Sequence, residues 1–189
     1  MLKLTGGEFR GRSIKTPHDQ TTRPTQARLR QALFNAIQFR VPDARVLDLF
    51  SGAGTLGIEA LSRGASEAVF VELSKAAVKL LSENINEFKL RDRTQIISES
   101  VETVVARAKT LGPFDIVVAD PPYSEGWEDR LLKEMPWEVL LSEGGVFCLE
   151  WGRLKSQVKE LPDQLPFLVK IREKIYGESV LTTYERPSS

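Results

Sequence analysis

The sequence predicts an α/β fold with an open, mostly parallel sheet and helices packed on it. Strand and helix patterns alternate from residue 45 onward, and side chains suited to ligand binding follow several predicted strands. This alternation favours a Rossmann-like sheet whose ligands bind at the carboxyl ends of the strands. The predicted strands span 45–50, 67–72, 94–98, 114–119 and 145–151, and the predicted helices span 54–63, 74–88, 100–109, about 128–134, and 153–159.

Both ends of the chain depart from this alternation. Residues 166–176 and 179–184 form strand patterns joined at Gly177-Glu178, which predicts a terminal antiparallel hairpin and seven strands in the sheet. At the amino terminus, residues 2–4 and 9–14 predict a short hairpin. Pro24 then opens a helix whose arginines, Arg28 and Arg30, are expected to point outward. We divide the chain into an extension, residues 1–40, and a main domain, residues 41–189.

Charge is unevenly spread along the 189 residues, although it sums to zero. Residues 1–40 hold eight Lys and Arg against two acidic residues, whereas the remainder holds 18 basic and 24 acidic residues. A basic arm on an acidic body favours contact with a polyanion such as a nucleic acid. The alternative is a solvated surface without a partner.

The composition argues against several classes of protein. Hydrophobic residues make up 41% of the chain, which predicts a folded globular protein, and no apolar run approaches the ~20 residues of a membrane span. The start lacks the apolar segment of a secretion signal. A single cysteine, Cys148, in an apolar strand pattern indicates a core residue and a reducing, cytoplasmic location. One histidine, His18, and no His/Cys cluster predict no metal site. No surplus apolar face is evident, so we expect a monomer.

A glycine-rich loop follows the first strand of the main domain. Residues 52–57 match G-x-G-x-x-G, and Glu72 lies twenty positions after Gly52 at the end of the next strand, where a carboxylate can bind ribose hydroxyls. A dinucleotide fits this pattern, but Asp48 just before the loop would repel a pyrophosphate. S-adenosylmethionine carries a cationic sulfonium and an ammonium group instead, so an acid favours its binding.

The turn Asp120-Pro121-Pro122-Tyr123 follows an apolar strand pattern and suits one chemical task. Asp120 and the carbonyl of Pro121 can accept the two hydrogens of a planar exocyclic amine, while the prolines stiffen the turn. Tyr123 can stack on the ring that carries the amine, so phenylalanine in its place should cause little loss. A proline turn after a strand, with no chemistry attached, is the simpler interpretation. Together with Asp48, the glycine loop and Glu72, the turn predicts transfer of a methyl group to an amine.

The sequence resembles the RsmD-type family of bacterial ribosomal RNA methyltransferases. These are class I enzymes, whose sheet ends in an antiparallel hairpin, and they methylate the N2 amine of a guanine in 16S RNA with S-adenosylmethionine. The resemblance covers nearly the whole chain, and its more specific part is the Gly-Gly-x-x-Arg-Gly-Arg start joined to Arg-Pro-Thr. The matching stretches are 6–12, 22–25 with 28–35, 46–64, 120–123 and 174–178.

The resemblance implies a role for each matching residue. Glu72, beside Leu73, would bind the ribose, and Glu99 would lie at the adenine, although this position is commonly Asp or Asn and Ser100 could serve instead. The methionine part would be held by Asp48, Ser51, Gly52 and Gly54. The guanine would be held by Asp120, Pro121, Pro122 and Tyr123. RNA contacts would come from Arg10, Arg12, Lys15, Arg23, Thr25 and Arg28.

Other functions stay open at this point. A DNA methyltransferase acting on adenine N6 or cytosine N4 uses the same amine chemistry, but usually needs an added recognition region. A non-catalytic RNA-binding assembly factor would keep the fold. A protein-glutamine methyltransferase or a nicotinamide-dependent oxidoreductase fits less well. The expected partner is 16S RNA within a small-subunit particle, without a membrane.

Overall fold

Strands and helices alternate through most of the chain in the computed structural model, which describes residues 1–17, 24–123, 125–153 and 159–188, with only the backbone of residues 24 and 25. The strands are β1 (Leu2–Lys3), β2 (Ser13–Ile14), β3 (Arg45–Leu49), β4 (Glu67–Val71), β5 (Thr94–Ile97), β6 (Phe114–Ala119), β7 (Leu141–Gly152), β8 (Val169–Tyr176) and β9 (Ser179–Glu185). The helices are α1 (Pro24–Ala36), α2 (Thr55–Ser62), α3 (Lys75–Glu87), α4 (Val101–Leu111), α5 (Trp127–Glu134) and α6 (Trp137–Leu140).

Seven strands form one sheet in the order β5-β4-β3-β6-β7-β9-β8, and β1 pairs with β2 in a separate two-stranded sheet. Strands β3 to β7 pair in parallel, whereas β9 pairs antiparallel with β7 and with β8. The predicted mostly parallel, seven-stranded, Rossmann-like sheet with a terminal hairpin is therefore confirmed. The order reverses at β3, which places β4 on one side of it and β6 on the other, and a crevice opens at such a reversal.

The two faces of the sheet carry separate hydrophobic clusters. Helices α1, α2 and α3 pack on one face together with the hairpin residues Leu4 and Ile14. Helices α4, α5 and α6 pack on the other face around Phe114, Phe147 and Tyr184. Within the described ranges, no helix is long and apolar enough to cross a bilayer. Cys148 is fully buried, as its apolar surroundings in the sequence predict.

Arg30 corrects one expectation from the sequence. Its side chain is 4% exposed and its Nε donates to the buried carboxylate of Glu59 over 3.3 Å, so the prediction that it points outward was wrong, whereas Arg28 is exposed. Thr5 and Arg63 bind the same carboxylate at 2.7–2.9 Å. The pattern of apolar residues along one helix predicts that every arginine faces solvent. It contains no information about a buried acid on another helix that can bind one of these arginines. Through Glu59, residues of the extension and of α1 are fixed to α2.

Some predicted boundaries also differ. Only residues 13–14 of the predicted return strand 9–14 form a strand, because residues 9–11 turn and the buried ring of Phe9 packs on Phe88 at 5.1 Å between ring centroids. Strand β7 begins at Leu141, four residues before the predicted start at residue 145. The reason is that Leu141 already pairs with Phe114, ahead of a shift in the strand register. Residues 154–158 of the predicted helix 153–159, and His18, lie outside the described residues. The division at residue 40 stays a prediction.

Candidate active site

A cavity of about 970 Å³ opens at the carboxyl ends of the parallel strands. Its wall is built from the segments that follow β3, β4, β5 and β6, from α5 and from Gln26 at the start of α1. Eight of the residues singled out in the sequence line it: Glu72, Leu73, Glu99, Ser100, Asp120, Pro121, Pro122 and Tyr123. The expectation that the suitable side chains meet at one edge of the sheet therefore holds for these eight. Asp48, Ser51, Gly52 and Gly54 are not among the lining residues that the structure describes.

The glycine loop explains where those four residues lie. Asp48 is 1% exposed, and its carboxylate accepts a hydrogen bond from the backbone N–H of Gly57 over 2.8 Å, which ties β3 to the first turn of α2. The hydroxyl of Ser51 donates to backbone carbonyls, the nearer being that of Asp48 at 2.7 Å. Gly54 has a φ of 83°, and a Cβ there would lie 2.3 Å from a methyl carbon of Leu81. The loop is thus tightly packed at Gly54 and tied to β3 through Asp48 and Ser51.

The surroundings of Asp48 disfavour the ionised form of its carboxyl. Burial raises the pKa of its carboxyl to about 7, the hydrogen bond from Gly57 lowers it, and the nearby Glu72 raises it further. A cation bound close to Asp48 would favour the ionised form of this carboxyl. The residue therefore suits a positively charged ligand and opposes a phosphate.

Glu72 holds the loop from the neighbouring strand. One carboxylate oxygen accepts a hydrogen bond from the backbone N–H of Gly52 and the other accepts one from Ser74, each over 2.7 Å. A carboxylate has about four lone-pair sites, so two stay free for hydroxyl donors. Because both oxygens are fixed by backbone groups, Glu72 offers a rigid acceptor pair at the rim of the cavity, the arrangement that a ribose diol needs.

The segment after β5 is less tightly held. Glu99 is exposed and lies 3.6 Å from Arg107, while Ser100 precedes the first residue of α4 and makes no capping hydrogen bond with its side chain. Leu73, which follows the neighbouring strand β4, is 67% exposed. Glu99, Ser100 and Leu73 all line the cavity, and their roles toward a ligand stay predictions.

Asp120 stands at the end of β6 with its side chain open to the cavity. Its carboxyl is nevertheless crowded by protein, and this desolvation, followed by the charges of Glu150 and Asp48, raises its pKa well above the ordinary value. Three acidic side chains thus influence one another across β3, β6 and β7. A cationic ligand bound here would favour the ionised forms of these carboxyls.

Tyr123 is anchored rather than free. Its hydroxyl donates to the carboxylate of Glu150 and lies 2.8 Å from the hydroxyl of Ser179, while 45% of the side chain is exposed. On the other side of the cavity, the rings of Phe50 and Trp127 pack edge to face with centroids 4.8 Å apart, and the guanidinium of Arg130 lies 3.9 Å from the centre of Trp127. The cavity therefore has one aromatic side chain beside Asp120 and an aromatic pair along its wall.

Comparison with known proteins identifies the family. Residues 2–185 match the family described as "Conserved hypothetical protein 95", which is the RsmD family. The chain belongs to the RsmD family of methyltransferases. The chain is 31% identical over 186 residues to the "Ribosomal RNA small subunit methyltransferase D" of Escherichia coli K12, a match that covers 98% of this chain and 90% of that protein.

Solved structures of other proteins share the architecture. A hypothetical protein of Thermus thermophilus is 33% identical, with a TM-score of 0.78 over 98% of this chain and 99% of that one. A Thermus thermophilus 16S rRNA N2 G1207 methyltransferase in complex with AdoMet and guanosine has a TM-score of 0.64 and covers 95% of this chain and 46% of its own. It is 22% identical, so that likeness shows the fold alone. The chain is thus an enzyme of a methyltransferase family, and the resemblance stated from its sequence is confirmed.

Some basic residues of the amino-terminal extension of this RsmD-family chain contact other residues of the protein and do not project freely into solvent. Arg12 is exposed, but its guanidinium lies 4.2 Å from the ring centre of Phe88. Lys15 pairs with Glu83 at 3.4 Å and Glu87 at 3.6 Å on α3. Arg10 is exposed, Arg23 lies outside the described residues, and of Thr25 only the backbone is described. None of the described members of this set lines the cavity, and their contact with RNA stays a prediction.

Sequence reasoning missed several residues of the site in this RsmD-family chain. Glu150 gave a usable signal, because it is an acid within the apolar pattern that forms β7 and lies beside the end of β6 in the parallel register. Trp127 gave no signal beyond being aromatic, since nothing in the local pattern places α5 at the cavity. Phe50, which has a φ of 60°, and Ser179 and Gln26 were not singled out either.

Proposed function

We propose that this protein transfers a methyl group from S-adenosylmethionine to the exocyclic N2 amine of a guanine in 16S ribosomal RNA. The observation that carries the proposal is the Asp120-Pro121-Pro122-Tyr123 turn, which lines the same cavity as the fixed carboxylate of Glu72. The name of the Escherichia coli relative, which specifies ribosomal RNA of the small subunit, supports the choice of substrate.

The residues present fit S-adenosylmethionine. Glu72 has two acceptor sites left for the ribose, and Glu99 or Ser100, which follow the neighbouring strand β5, would serve the adenine. Asp48 and Asp120 provide the negative potential that a sulfonium and an ammonium group need. When bound, S-adenosylmethionine supplies a methyl group on a cationic sulfur. Its positive charge would draw Asp120 toward the ionised form that the chemistry requires.

Asp120 and the carbonyl of Pro121 would act on the target amine. The lone pair of a guanine N2 amine is delocalised into the ring, which makes the nitrogen a weak nucleophile. Two acceptors for its two hydrogens would hold the nitrogen in place and favour a lone pair directed at the methyl carbon. Orientation of this kind can supply on the order of 7–11 kcal/mol in well-arranged systems. As the nitrogen–carbon bond forms and the carbon–sulfur bond breaks, Asp120 would stabilise the positive charge that develops on nitrogen. The nitrogen would then lose a proton to Asp120 or to water, and S-adenosylhomocysteine would leave.

Tyr123 would hold the ring of the base. A guanine must leave its stack to enter the cavity, and stacking on an aromatic side chain offsets about 1–3 kcal/mol of that cost. Arg10, Arg12, Lys15 and Arg28 on the extension would contact the RNA backbone outside the cavity. Gln26 lies on the same helix as Arg28 and lines the cavity. Helix α1 would therefore connect the contact with the RNA backbone to the site.

Transfer of tritium from labelled S-adenosylmethionine tests the proposal. Three substrates would be offered in parallel: small ribosomal subunits that lack the modification, free 16S RNA, and duplex DNA. We expect label in the ribosomal samples, recovered after nuclease digestion as N2-methylguanine. Label on adenine or cytosine of DNA would overturn the substrate while keeping the amine chemistry. Cofactor binding without any transfer would support a non-catalytic binding factor. Faster labelling of subunits than of free RNA would favour the assembled particle as substrate.

A further inference from the structure

Two strands outside the Asp-Pro-Pro-Tyr turn determine where the ring of Tyr123 lies. The Tyr123 hydroxyl donates to the carboxylate of Glu150 on β7 and lies 2.8 Å from the hydroxyl of Ser179 on β9. A Cβ at Gly152 would lie 2.5 Å from Cδ2 and 2.6 Å from Cγ of the ring. The ring therefore rests directly on the backbone of β7, at a position where any side chain would displace it.

These three contacts come from one corner of the sheet. Gly152 pairs with Ser179 in the antiparallel register, and Glu150 lies two residues before Gly152 on the same face of β7. Strands β7 and β9 are paired along seven consecutive positions, from Val146 with Glu185 to Gly152 with Ser179. The support for the ring is thus part of the sheet and does not depend on the conformation of the turn that carries Tyr123.

The Tyr123 hydroxyl is committed to this support. A phenol has one proton to donate, and Glu150, which is 8% exposed, accepts it. Burial and the charge of Glu150 raise the pKa of Tyr123, so the hydroxyl stays a donor. Its proton is therefore not available to a base, although Tyr123 lines the cavity. This hydrogen bond also changes the expectation that phenylalanine would replace Tyr123 with little loss, because phenylalanine would remove one of the hydrogen bonds that the buried carboxylate of Glu150 accepts.

We propose that Glu150, Ser179 and Gly152 are positioning residues that fix the ring of Tyr123 for stacking with the target base. The inference rests on the proposed function, in which a base enters this cavity. In this arrangement, residues of β7 and β9 set the orientation of the ring, and the tyrosine hydroxyl holds the ring in that orientation. Glu150 acts here through Tyr123 and does not touch the base.

Four variants separate this role from a general effect on folding. Glu150→Leu removes the acceptor, Glu150→Gln keeps an acceptor oxygen without the charge, and Gly152→Ala pushes on the ring from its other side. Cys148→Ala is the matched control, because Cys148 is a buried residue of β7 on the same face and has no contact with Tyr123 among the described interactions. Each variant would be measured for kcat and KM with ribosomal RNA, for cofactor affinity, and for urea unfolding.

We expect Glu150→Leu and Gly152→Ala to lower kcat/KM about 10-fold or more with cofactor affinity unchanged, because a displaced ring loses its stacking with the base. At a pH high enough to ionise Asp120 in both proteins, Glu150→Gln should stay within about 3-fold of the wild type, because its amide oxygen accepts the same hydrogen bond. The double variant Glu150→Leu with Tyr123→Phe should be no worse than the poorer single variant. Multiplying losses would overturn the proposal, as would wild-type turnover in Gly152→Ala.

A measurement on the free enzyme keeps the two proposals apart. The ring carbon that bears the hydroxyl can be labelled with ¹³C in all three tyrosines, and the Tyr123 resonance identified by its loss in Tyr123→Phe. This resonance should shift in Glu150→Leu and stay in place in Cys148→Ala, and no shift in Glu150→Leu would overturn the proposed support. Label on a base other than guanine would refute the proposed function alone. The positioning role would then be tested by comparing the kcat/KM values of the variants with that base as substrate. If no base is labelled, binding of a short single-stranded RNA decides, and equal affinity in Gly152→Ala and the wild type would overturn the positioning role.

Discussion

The carboxylate of Asp48 accepts a hydrogen bond from the backbone N–H of Gly57 over 2.8 Å while almost completely buried. It therefore supports the first turn of α2, in a place where its ionised form is poorly solvated. Burial raises the pKa of Asp48 to about 7. A residue with this arrangement favours folding when it is neutral and binding of a cation when it is charged, so the two properties should oppose each other as pH changes.

Asp48→Asn should make the free protein more stable at alkaline pH. A raised folded-state pKa means that the stabilising contribution of Asp48 is complete below about pH 4 and is lost as the pH rises through about 7, whereas asparagine does not titrate. The advantage of the variant should therefore grow by about 1–3 kcal/mol between pH 5 and pH 8. Urea unfolding of both proteins at the two pH values measures it. An advantage that is equal at both, or larger at pH 5, would contradict this sign.

The sequence was enough to bring two acidic side chains to one cavity, because each of them directly follows a strand. Glu72 and Asp120 each follow an apolar strand pattern, and parallel strands bring such ends to one edge, so their meeting follows from topology alone. Arg30 and Glu150 could not be placed in the same way. Their roles depend on partners 29 and 27 residues away, namely Glu59 and Tyr123, which periodicity within a single element does not report.

Glu59→Ala should strongly destabilise the fold. Glu59 is fully buried and its carboxylate binds Arg30, Arg63 and Thr5 at once, so its removal leaves the nearly buried Arg30 without a counter-charge. Breaking a buried pair on one side costs about 3–5 kcal/mol. Glu67→Ala is the control, because the pair of Glu67 with Arg45 is partly exposed and such pairs contribute at most about 1 kcal/mol. Urea unfolding at pH 7 compares them, and similar losses would show that Glu59 is not the main tie of the extension.

Asp120→Ala should abolish methyl transfer without loss of cofactor binding. Asp120 faces the proposed amine, whereas the ribose acceptor Glu72 is held by its own backbone hydrogen bonds and does not need Asp120. We expect kcat to fall at least about 100-fold, the usual result of removing a group that stabilises charge in the transition state. Asp92→Asn, an exposed acid at the far edge of the sheet, is the control. Calorimetry would follow the cofactor and tritium transfer the reaction. Near-normal turnover by Asp120→Ala would refute the proposed mechanism.

The acidic limb of the pH–rate profile should reflect the raised pKa of Asp120. Only the ionised carboxylate can accept a hydrogen from the amine, and desolvation together with Glu150 and Asp48 disfavours that form. The kcat/KM for S-adenosylmethionine, which reports the free enzyme, should therefore rise with pH at values well above the ordinary range of an aspartate. In Glu150→Gln one of the two neighbouring charges is absent, so the limb should move to lower pH. A limb in the same place in both proteins would show that Glu150 does not act on Asp120.

Replacing Arg10, Arg12 and Lys15 with glutamine should weaken RNA binding and reduce its dependence on salt. All three side chains are exposed, and each phosphate contact that is lost removes about one unit from the slope of log affinity against log salt. Lys15 already has Glu83 and Glu87 as partners, and Arg12 lies on Phe88, so their RNA contacts must compete with contacts inside the protein. We therefore expect the slope to fall by fewer than three units. Lys109 and Lys133, exposed on α4 and α5 across the sheet, form the control pair. An equal fall in slope for that pair would mean that the effect is general to surface charge and that the extension is a solvated surface.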